Sequence, residues 1–182
     1  MPEIVVVRDL EDLSQKAAEF FVRLVTKVKM VKDSFTVALS GGSTPRGLYE
    51  RLALDSIQRK IPWDQGHLFW GDERCVPMDD SGNNYGQAKK ILLDKIASTN
   101  IQRILSEFEP DSAAQAYADT LRLSADPPLN FPRFDLVLLG LGVDGHTASL
   151  FPGSPVLKEI FRTVAAVHAA AAAIPQRFTL TF

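Results

Sequence analysis

The sequence contains little cysteine or histidine, no excess of basic charge and no long apolar run. Cys75 is the single cysteine in 182 residues, which excludes an internal disulfide framework and is typical of a reducing compartment. The three histidines and this cysteine are too widely spaced for a recognisable metal-ligand motif, so we expect no metal. A formal net charge of -2 favours neither nucleic acid nor an anionic membrane as a partner.

Two kinds of targeting segment are also missing from the sequence. No stretch is long and apolar enough to span a membrane. The first residues carry acids where a secretory signal has basic residues and a long apolar core, so we expect no signal peptide. We therefore expect a cytoplasmic protein. Its length suits one domain with a sizeable core, and no internal repeat divides it, so we expect residues 1–182 to form a single domain.

Short apolar runs alternate with helical patterns along the chain. The runs at 4–7, 35–39, 67–70, 136–139 and 164–167 predict strands, with a short strand at 101–105 and an alternating one at 177–182. Asp9 is placed to cap a first helix, whose apolar stripe is predicted at Leu10, Leu13, Ala17, Phe20, Phe21, Leu24 and Val28. Later helices are predicted to begin at Asn83 or Asn84 and at Asp111 or Ser112.

The most informative stretch covers residues 134–152. Its apolar run at 136–139 predicts a strand buried on both faces of a parallel sheet, and a glycine-rich turn with Asp144 and His146 follows. Open α/β sheets bind ligands at such turns. Three interpretations compete: a dinucleotide fingerprint at Gly140, Gly142 and Gly145, a structural turn with a buried polar histidine, and a catalytic site with His146 as base. Prolines follow too soon for the long helix that the fingerprint needs.

A second loop, Ser-Gly-Gly-Ser-Thr-Pro at 40–45, joins a predicted strand to a predicted helix. Thr44 is a good N-cap and Pro45 a good first helical residue, so the loop presents backbone N–H groups and a positive helix end. We therefore predict anion binding by this loop, and the alternative is a tight turn with a helix cap. It is not a Walker loop, because no Gly-Lys-Ser/Thr follows.

A third loop, Gly-Asp-Glu-Arg at 71–74, follows the predicted strand 67–70. The planar guanidinium of Arg74 can hold a phosphate with two hydrogen bonds. The alternative is a structural ion-pair cluster of Asp72, Glu73 and Arg74, and this loop alone does not decide between the two.

Together the three loops resemble the 6-phosphogluconolactonase family, in the superfamily that also holds glucosamine-6-phosphate deaminase and ribose-5-phosphate isomerase. Asn84-Tyr85 and the Arg-x-Thr-Leu-Thr segment at 177–181 support the resemblance, which runs from about residue 35 to 182. It implies a three-layer α/β/α sandwich with a mostly parallel, modified Rossmann-type sheet. It also implies hydrolysis of 6-phosphoglucono-δ-lactone in the pentose phosphate pathway, with a sugar phosphate as substrate and no cofactor or metal.

The resemblance implies a role for each loop. His146 is similar to the family's general base, which activates water; histidine titrates near neutrality and can then return the proton to the ring oxygen. Asp144 and Asp72 would orient the histidine or the substrate. Arg74 would hold the 6-phosphate, and the other implied substrate-binding residues are Gly41, Gly42, Ser43, Thr44 and Gly145.

Family members usually continue into a further strand and helices that carry a lysine of the G-x-x-K type. This sequence therefore resembles a domain truncated at its carboxyl end, acting as a monomer or weak homodimer. Two alternatives stay open: a glucosamine-6-phosphate deaminase, and a non-catalytic sugar-phosphate-binding remnant. Against the deaminase, Arg74 stands where that family favours tyrosine, and residues 147–151 lack its catalytic glutamate.

Overall fold

Helices and strands alternate in the computed structural model, which describes residues 2–170 and 172–181. The helices are α1 (Leu10–Lys29), α2 (Ser43–Leu52), the single turn α3 (Asp55–Gln58), α4 (Asn84–Ile91) and α5 (Pro110–Leu123). The strands are β1 (Phe35–Leu39), β2 (Gly66–Trp70), β3 (Asp72–Arg74), β4 (Asn100–Ile101), β5 (Leu136–Val137), β6 (Val164–His168) and β7 (Gln176–Leu180). The predicted strand at 177–182 is β7, and Phe182 lies outside the described residues.

Four strands form a parallel sheet in the order β4-β2-β1-β5. The register pairs Leu39 with Trp70, so β1 and β2 end at the same level. The loops that follow these strands therefore leave from one edge of the sheet, which is where open α/β sheets bind ligands. The predicted α/β architecture with a mostly parallel central sheet is confirmed.

The remaining strands form a second, antiparallel sheet in the order β3-β7-β6. Only Gly71 separates β2 from β3, and its N–H donates to the carbonyl of Leu39 at 2.9 Å. The chain thus passes from the parallel sheet directly into the second sheet. This step places Asp72 and Arg74 beside the carboxyl edge of the first sheet.

Two buried tyrosines satisfy the backbone at the ends of β1 and β2. The hydroxyl of Tyr49 accepts from Ser40 N–H at 3.2 Å and donates to Ser40 C=O at 2.5 Å. Tyr117 does the same for Trp70, at 2.8 and 3.0 Å. Burial raises the pKa of both hydroxyls far above the usual range, so they stay neutral. The backbone N–H and C=O groups of Ser40 and Trp70 are therefore hydrogen-bonded without a partner from the loops.

The first helix begins as predicted but turns a different face to the core. Asp9 caps α1 by accepting from Asp12 N–H at 2.8 Å. Leu10 is 69% exposed and Phe20 43% exposed, so the predicted stripe is wrong at these two positions. The buried face runs through Ser14, Ala18, Phe21, Val25 and Val28. Ser14 packs closely against α2, because a Cβ on Gly47 would lie 2.3 Å from Ser14 Oγ.

The predicted strand at 4–7 is not formed. Residues 2–7 have no strand pairing, and Ile4 is 88% exposed. A cavity of about 570 Å³ lies between Val5 and Val7 on one side and Leu136 and Leu138 on the other. Val5 and Val7 thus line a cavity beside β5 without joining the hydrogen-bond ladder of the sheet, and a strand requires that ladder.

The predicted strand at 136–139 is shorter and more exposed than its apolar composition indicates. Only Leu136 and Val137 pair with β1, and Leu139 is 59% exposed. Within residues 2–170 and 172–181, β5 has a neighbour on one side alone. An edge position explains the exposure, because an edge strand has no second neighbour to cover it.

Candidate active site

Residues from all three predicted loops line one cavity of about 220 Å³. It opens where the carboxyl edge of the parallel sheet meets β3 and β7. Arg74 and His146 both contribute to its wall, as do Asp72 and the loop 40–44. The further lining residues are Pro45, Gly140, Leu141, Gly142, Ala148 and Arg177. Asp144 and Gly145 do not line this cavity, although Asp144 contacts His146.

The helix end at this cavity has no side-chain cap. Helix α2 begins at Ser43, and Gly42 at its N-cap position has φ 105, a conformation that favours glycine. The prediction of Thr44 as N-cap is therefore wrong, because Thr44 is already the second helical residue. With no side chain accepting from the first turn, its N–H groups are available to an anion in the cavity.

Gly41 is required by a close contact rather than by its backbone angle. A Cβ on Gly41 would lie 1.7 Å from Oδ1 of Asn84. Asn84 is buried, and its amide donates to the carbonyl of Asp72 at 3.0 Å. The absence of a side chain at Gly41 thus brings the loop 40–45 against the residue that holds β3.

The register between β3 and β7 defines one wall of the cavity. Asp72 lies opposite Thr179, and Arg74 lies opposite Arg177. Because side chains alternate along a strand, these four residues share one face of the second sheet. Glu73 and its partner Phe178 point to the other face, where both are fully buried.

Asp72 is a buried carboxylate with a specific partner. Its Oδ2 accepts from the hydroxyl of Ser149 at 2.9 Å. Burial raises the pKa of Asp72, and the hydrogen bond from Ser149 acts in the opposite direction. Ser149 belongs to the polar residues of the predicted glycine-rich turn, but nothing in the sequence indicates its contact with Asp72, 77 residues away.

Arg74 is held by a backbone carbonyl and not by an acid. Its Nη1 donates to Gly82 C=O at 2.7 Å, and its buried Nε has no partner among the described residues. Neither Asp72 nor Glu73 forms an ion pair with it. The alternative of a structural ion-pair cluster in this loop is therefore wrong, and the guanidinium keeps donors for a ligand.

Glu73 connects β3 to α4. Its carboxylate accepts from the backbone N–H groups of Arg74, Asn84 and Tyr85 at 2.8, 2.7 and 2.8 Å. Burial raises the pKa of Glu73 to about 7 against these three bonds. This side chain fixes the backbone that carries Arg74, a function that its sequence position did not reveal.

His146 is oriented by two neighbours in its own loop. Its Nδ1 lies 2.5 Å from Oδ1 of Asp144, and its ring stacks on Phe151 with a centroid distance of 4.4 Å. The hydrogen bond to His146 lowers the pKa of Asp144, which is therefore a carboxylate near neutral pH. A carboxylate only accepts, so the proton belongs on Nδ1 and the lone pair on Nε2.

The turn around His146 depends on two glycines. Gly145 has φ 84, and its N–H donates to Gly142 C=O at 2.9 Å. A Cβ on Gly142 would lie 2.2 Å from Nδ1 of His146. In place of a long helix, the single-turn 3-10 helix Pro155–Lys158 follows this turn, so the dinucleotide interpretation is wrong.

Arg177 is the main residue of the cavity that sequence analysis did not assign to the site. The sequence shows it in an alternating strand, but the alternation does not reveal that Arg74 lies opposite. Its guanidinium lies 5.5 Å from the ring centroid of Phe151, and its Nε donates to Ile174 C=O at 2.8 Å.

Residues 2–170 and 172–181 contain neither a cluster of metal ligands nor a helix that could span a membrane. No group of histidine, cysteine and acidic side chains in this part of the chain is arranged to hold a metal ion. No helix there has the length and apolar character needed to cross a membrane.

Comparisons with known proteins give one consistent result. The sequence profile described as glucosamine-6-phosphate isomerases/6-phosphogluconolactonase matches residues 8–182. A protein of Synechocystis named 6-phosphogluconolactonase is 39% identical over 160 residues, which cover 86% of this chain and 65% of that protein. A rice protein, probable 6-phosphogluconolactonase 3, chloroplastic, is 36% identical over 94% of this chain and 55% of its own length.

Solved structures agree with these relatives. The 6-phosphogluconolactonase of Trypanosoma cruzi has a TM-score of 0.86 to this chain at 31% identity, over 100% of this chain and 75% of that one. The Synechocystis and rice relatives are longer than this chain, which spans less than two thirds of the length of each.

Proposed function

Because this chain belongs to the glucosamine-6-phosphate isomerase/6-phosphogluconolactonase family, we propose that it hydrolyses 6-phospho-D-glucono-1,5-lactone to 6-phospho-D-gluconate. The observation that carries the proposal is the shared cavity: a guanidinium, an uncapped helix end and an oriented histidine line a single space. The guanidinium and the helix end can bind a phosphate, and the histidine can activate water for attack on an ester carbon.

His146 acts as the general base. With Asp144 holding the proton on Nδ1, Nε2 accepts a proton from water while the water oxygen bonds to the lactone carbonyl carbon. The tetrahedral intermediate then expels the ring oxygen, and the imidazolium gives that oxygen the proton it took. The product carboxylic acid releases its own proton near neutral pH.

Arg74 and the loop 40–44 bind the 6-phosphate. The free donors of the guanidinium fit two phosphate oxygens, while the hydroxyls of Ser43 and Thr44 and the first-turn N–H groups of α2 supply further donors. Binding of the distant phosphate fixes the lactone carbonyl beside His146, which lowers the barrier by positioning.

Asp72 orients the substrate from the cavity wall. Its Oδ2 accepts from Ser149 at 2.9 Å and its Oδ1 from the Asn84 amide at 3.4 Å, so the carboxylate is held in one rotamer. A carboxylate held this way accepts hydrogen bonds from sugar hydroxyls. Gly145 contributes through the turn that it permits and not through direct contact.

The proposed activity is tested by following acid release from freshly prepared 6-phosphogluconolactone, with the spontaneous rate subtracted. We expect a rate above background that is proportional to protein concentration. No catalysis together with intact binding of 6-phosphogluconate would indicate a binding protein. Ammonia release from glucosamine 6-phosphate would indicate the alternative deaminase reaction.

A further inference from the structure

Two arginines occupy opposite positions of the antiparallel pair β3 and β7. Arg74 and Arg177 are directly paired in register, and both line the cavity. Like charges placed directly opposite on a sheet destabilise it. Among the lining residues Asp72 is the only carboxylate, and it already accepts from Ser149. Asp72 is therefore the one acidic counter-charge that the lining residues offer to two guanidiniums.

Arg177 is pre-oriented in a way that leaves donors free. Its Nε is used by the carbonyl of Ile174 at 2.8 Å, and its plane lies over Phe151. Among the described residues no acceptor takes a hydrogen bond from its two terminal nitrogens. Burial, and next Arg74, lower the pKa of Arg177, and the charge of Asp72 acts in the opposite direction.

We infer that Arg177 is a second phosphate-binding residue, and that Arg74 and Arg177 together form a clamp for a phosphomonoester. This inference depends on the proposed function only for the identity of the sugar that carries the phosphate. A phosphomonoester has a charge of about -1.5 to -2 near neutral pH and three acceptor oxygens. A single guanidinium neutralises about half of that charge, whereas two guanidiniums on one face match it and can each donate to different oxygens.

Phe151 connects this clamp to the proposed base. Its ring is stacked on His146 and also lies beneath the guanidinium of Arg177. The imidazole and the second guanidinium thus contact the same ring, which places the proposed phosphate clamp and the proposed base on two neighbours of one side chain.

The test is calorimetric binding of inorganic phosphate, 6-phosphogluconate and gluconate to Arg177→Gln, Arg177→Lys and the unaltered protein. We expect Arg177→Gln to weaken both phosphate-bearing ligands about 10-fold to 100-fold and to leave gluconate within about twofold. Arg177→Lys keeps the charge and should recover part of the loss. Arg59→Gln is the matched control, because Arg59 is 80% exposed on its side chain and pairs with Asp55 at the surface.

The outcomes separate this inference from the proposed reaction. Unchanged phosphate affinity in Arg177→Gln overturns the clamp, and so does an equal loss for gluconate, which would mean a purely structural role. Loss of phosphate affinity supports the clamp even where the unaltered protein hydrolyses no lactone, a result that would count only against the proposed reaction. Thermal melting of each variant checks that the fold is retained.

Discussion

The loop around His146 and the strand pair β3–β7 contribute to one cavity by opposite means. Every neighbour that orients His146 lies within a few residues of it: Asp144, Gly142 and Phe151. Arg74, by contrast, faces Arg177 from a distant part of the chain and depends on the buried Glu73. Short-range contacts orient the proposed base, whereas pairing between distant strands positions the residues that are proposed to bind the phosphate.

This difference has an energetic consequence. The His146 loop is largely exposed and contributes few core residues, so changes there are expected to affect rate more than stability. The β3–β7 wall contains Glu73, Phe178 and Thr179, all fully buried, so changes there act on folding and binding together. Substitutions in each region can therefore test the contrast.

The largest effect is expected for His146→Ala. Removing the proposed base should lower kcat about 100-fold or more, with a melting temperature close to that of the unaltered protein. His168→Ala is the matched control, because His168 is exposed and lies outside the cavity. Steady-state kinetics on 6-phosphogluconolactone measure both. A similar kcat in the two variants would remove His146 from the mechanism.

Glu73→Gln is expected to change how stability depends on pH. The carboxyl has a pKa of 4.5 unfolded and about 7 folded, so the stability it contributes is present below pH 4.5 and is lost as the pH rises to about 7. That shift corresponds to about 3 kcal/mol. Urea unfolding between pH 4.5 and 8 should show a flatter profile in the variant, since glutamine does not titrate. Parallel profiles would mean that Glu73 is ionised over the whole range.

Gly142→Ala is expected to affect the rate selectively. The added Cβ would lie 2.2 Å from the imidazole and 2.7 Å from Asp144 Oδ1, so the ring must move. Displacement of a catalytic group by about 1 Å lowers turnover by up to about 100-fold. Gly140→Ala adds the same methyl group with nothing within 4 Å, and we expect a much smaller loss. An equal loss of kcat in the two variants would contradict the claim that short-range contacts orient His146.

Tyr117→Phe should give the smallest effect, and in stability alone. The variant leaves the N–H and C=O of Trp70 without their partner, which destabilises the protein by about 1–3 kcal/mol. Tyr85→Phe is the control, because its hydroxyl makes no hydrogen bond among the described residues. Chemical denaturation compares the two, and a fall in kcat at full folding would connect Tyr117 to the chemistry instead.

The parts of the fold that could be predicted were those specified by a short segment. Strands β1 and β2 follow from apolar runs between glycine-rich loops, and Asp9 and Asn83 cap helices as their sequences indicate. The prediction of a strand at 4–7 was wrong because an apolar run does not provide a hydrogen-bonding neighbour. The two-residue length of β5 has the same cause, since pairing belongs to the sheet and not to the segment.

The residues of the candidate site also differ in whether a short segment of sequence indicates them. Its glycine loops, Arg74 and His146 were predicted because each lies in a local pattern at the end of a predicted strand, and the structure brings them to one cavity. The roles of Arg177, Ser149 and Glu73 were missed because they come from cross-strand register, a hydrogen bond across 77 residues and burial. None of these three properties is visible in a window of sequence.

The most direct test of the whole account compares kcat/KM for 6-phosphogluconolactone with that for unphosphorylated glucono-1,5-lactone. We expect the unaltered protein to prefer the phosphorylated lactone by about 100-fold or more, from charged hydrogen bonds to phosphate. The Arg74→Gln, Arg177→Gln double variant should lose most of this preference, while His146→Ala should lower both values together. Equal kcat/KM for the two lactones in the unaltered protein would contradict the claim that one cavity joins a phosphate clamp to a base.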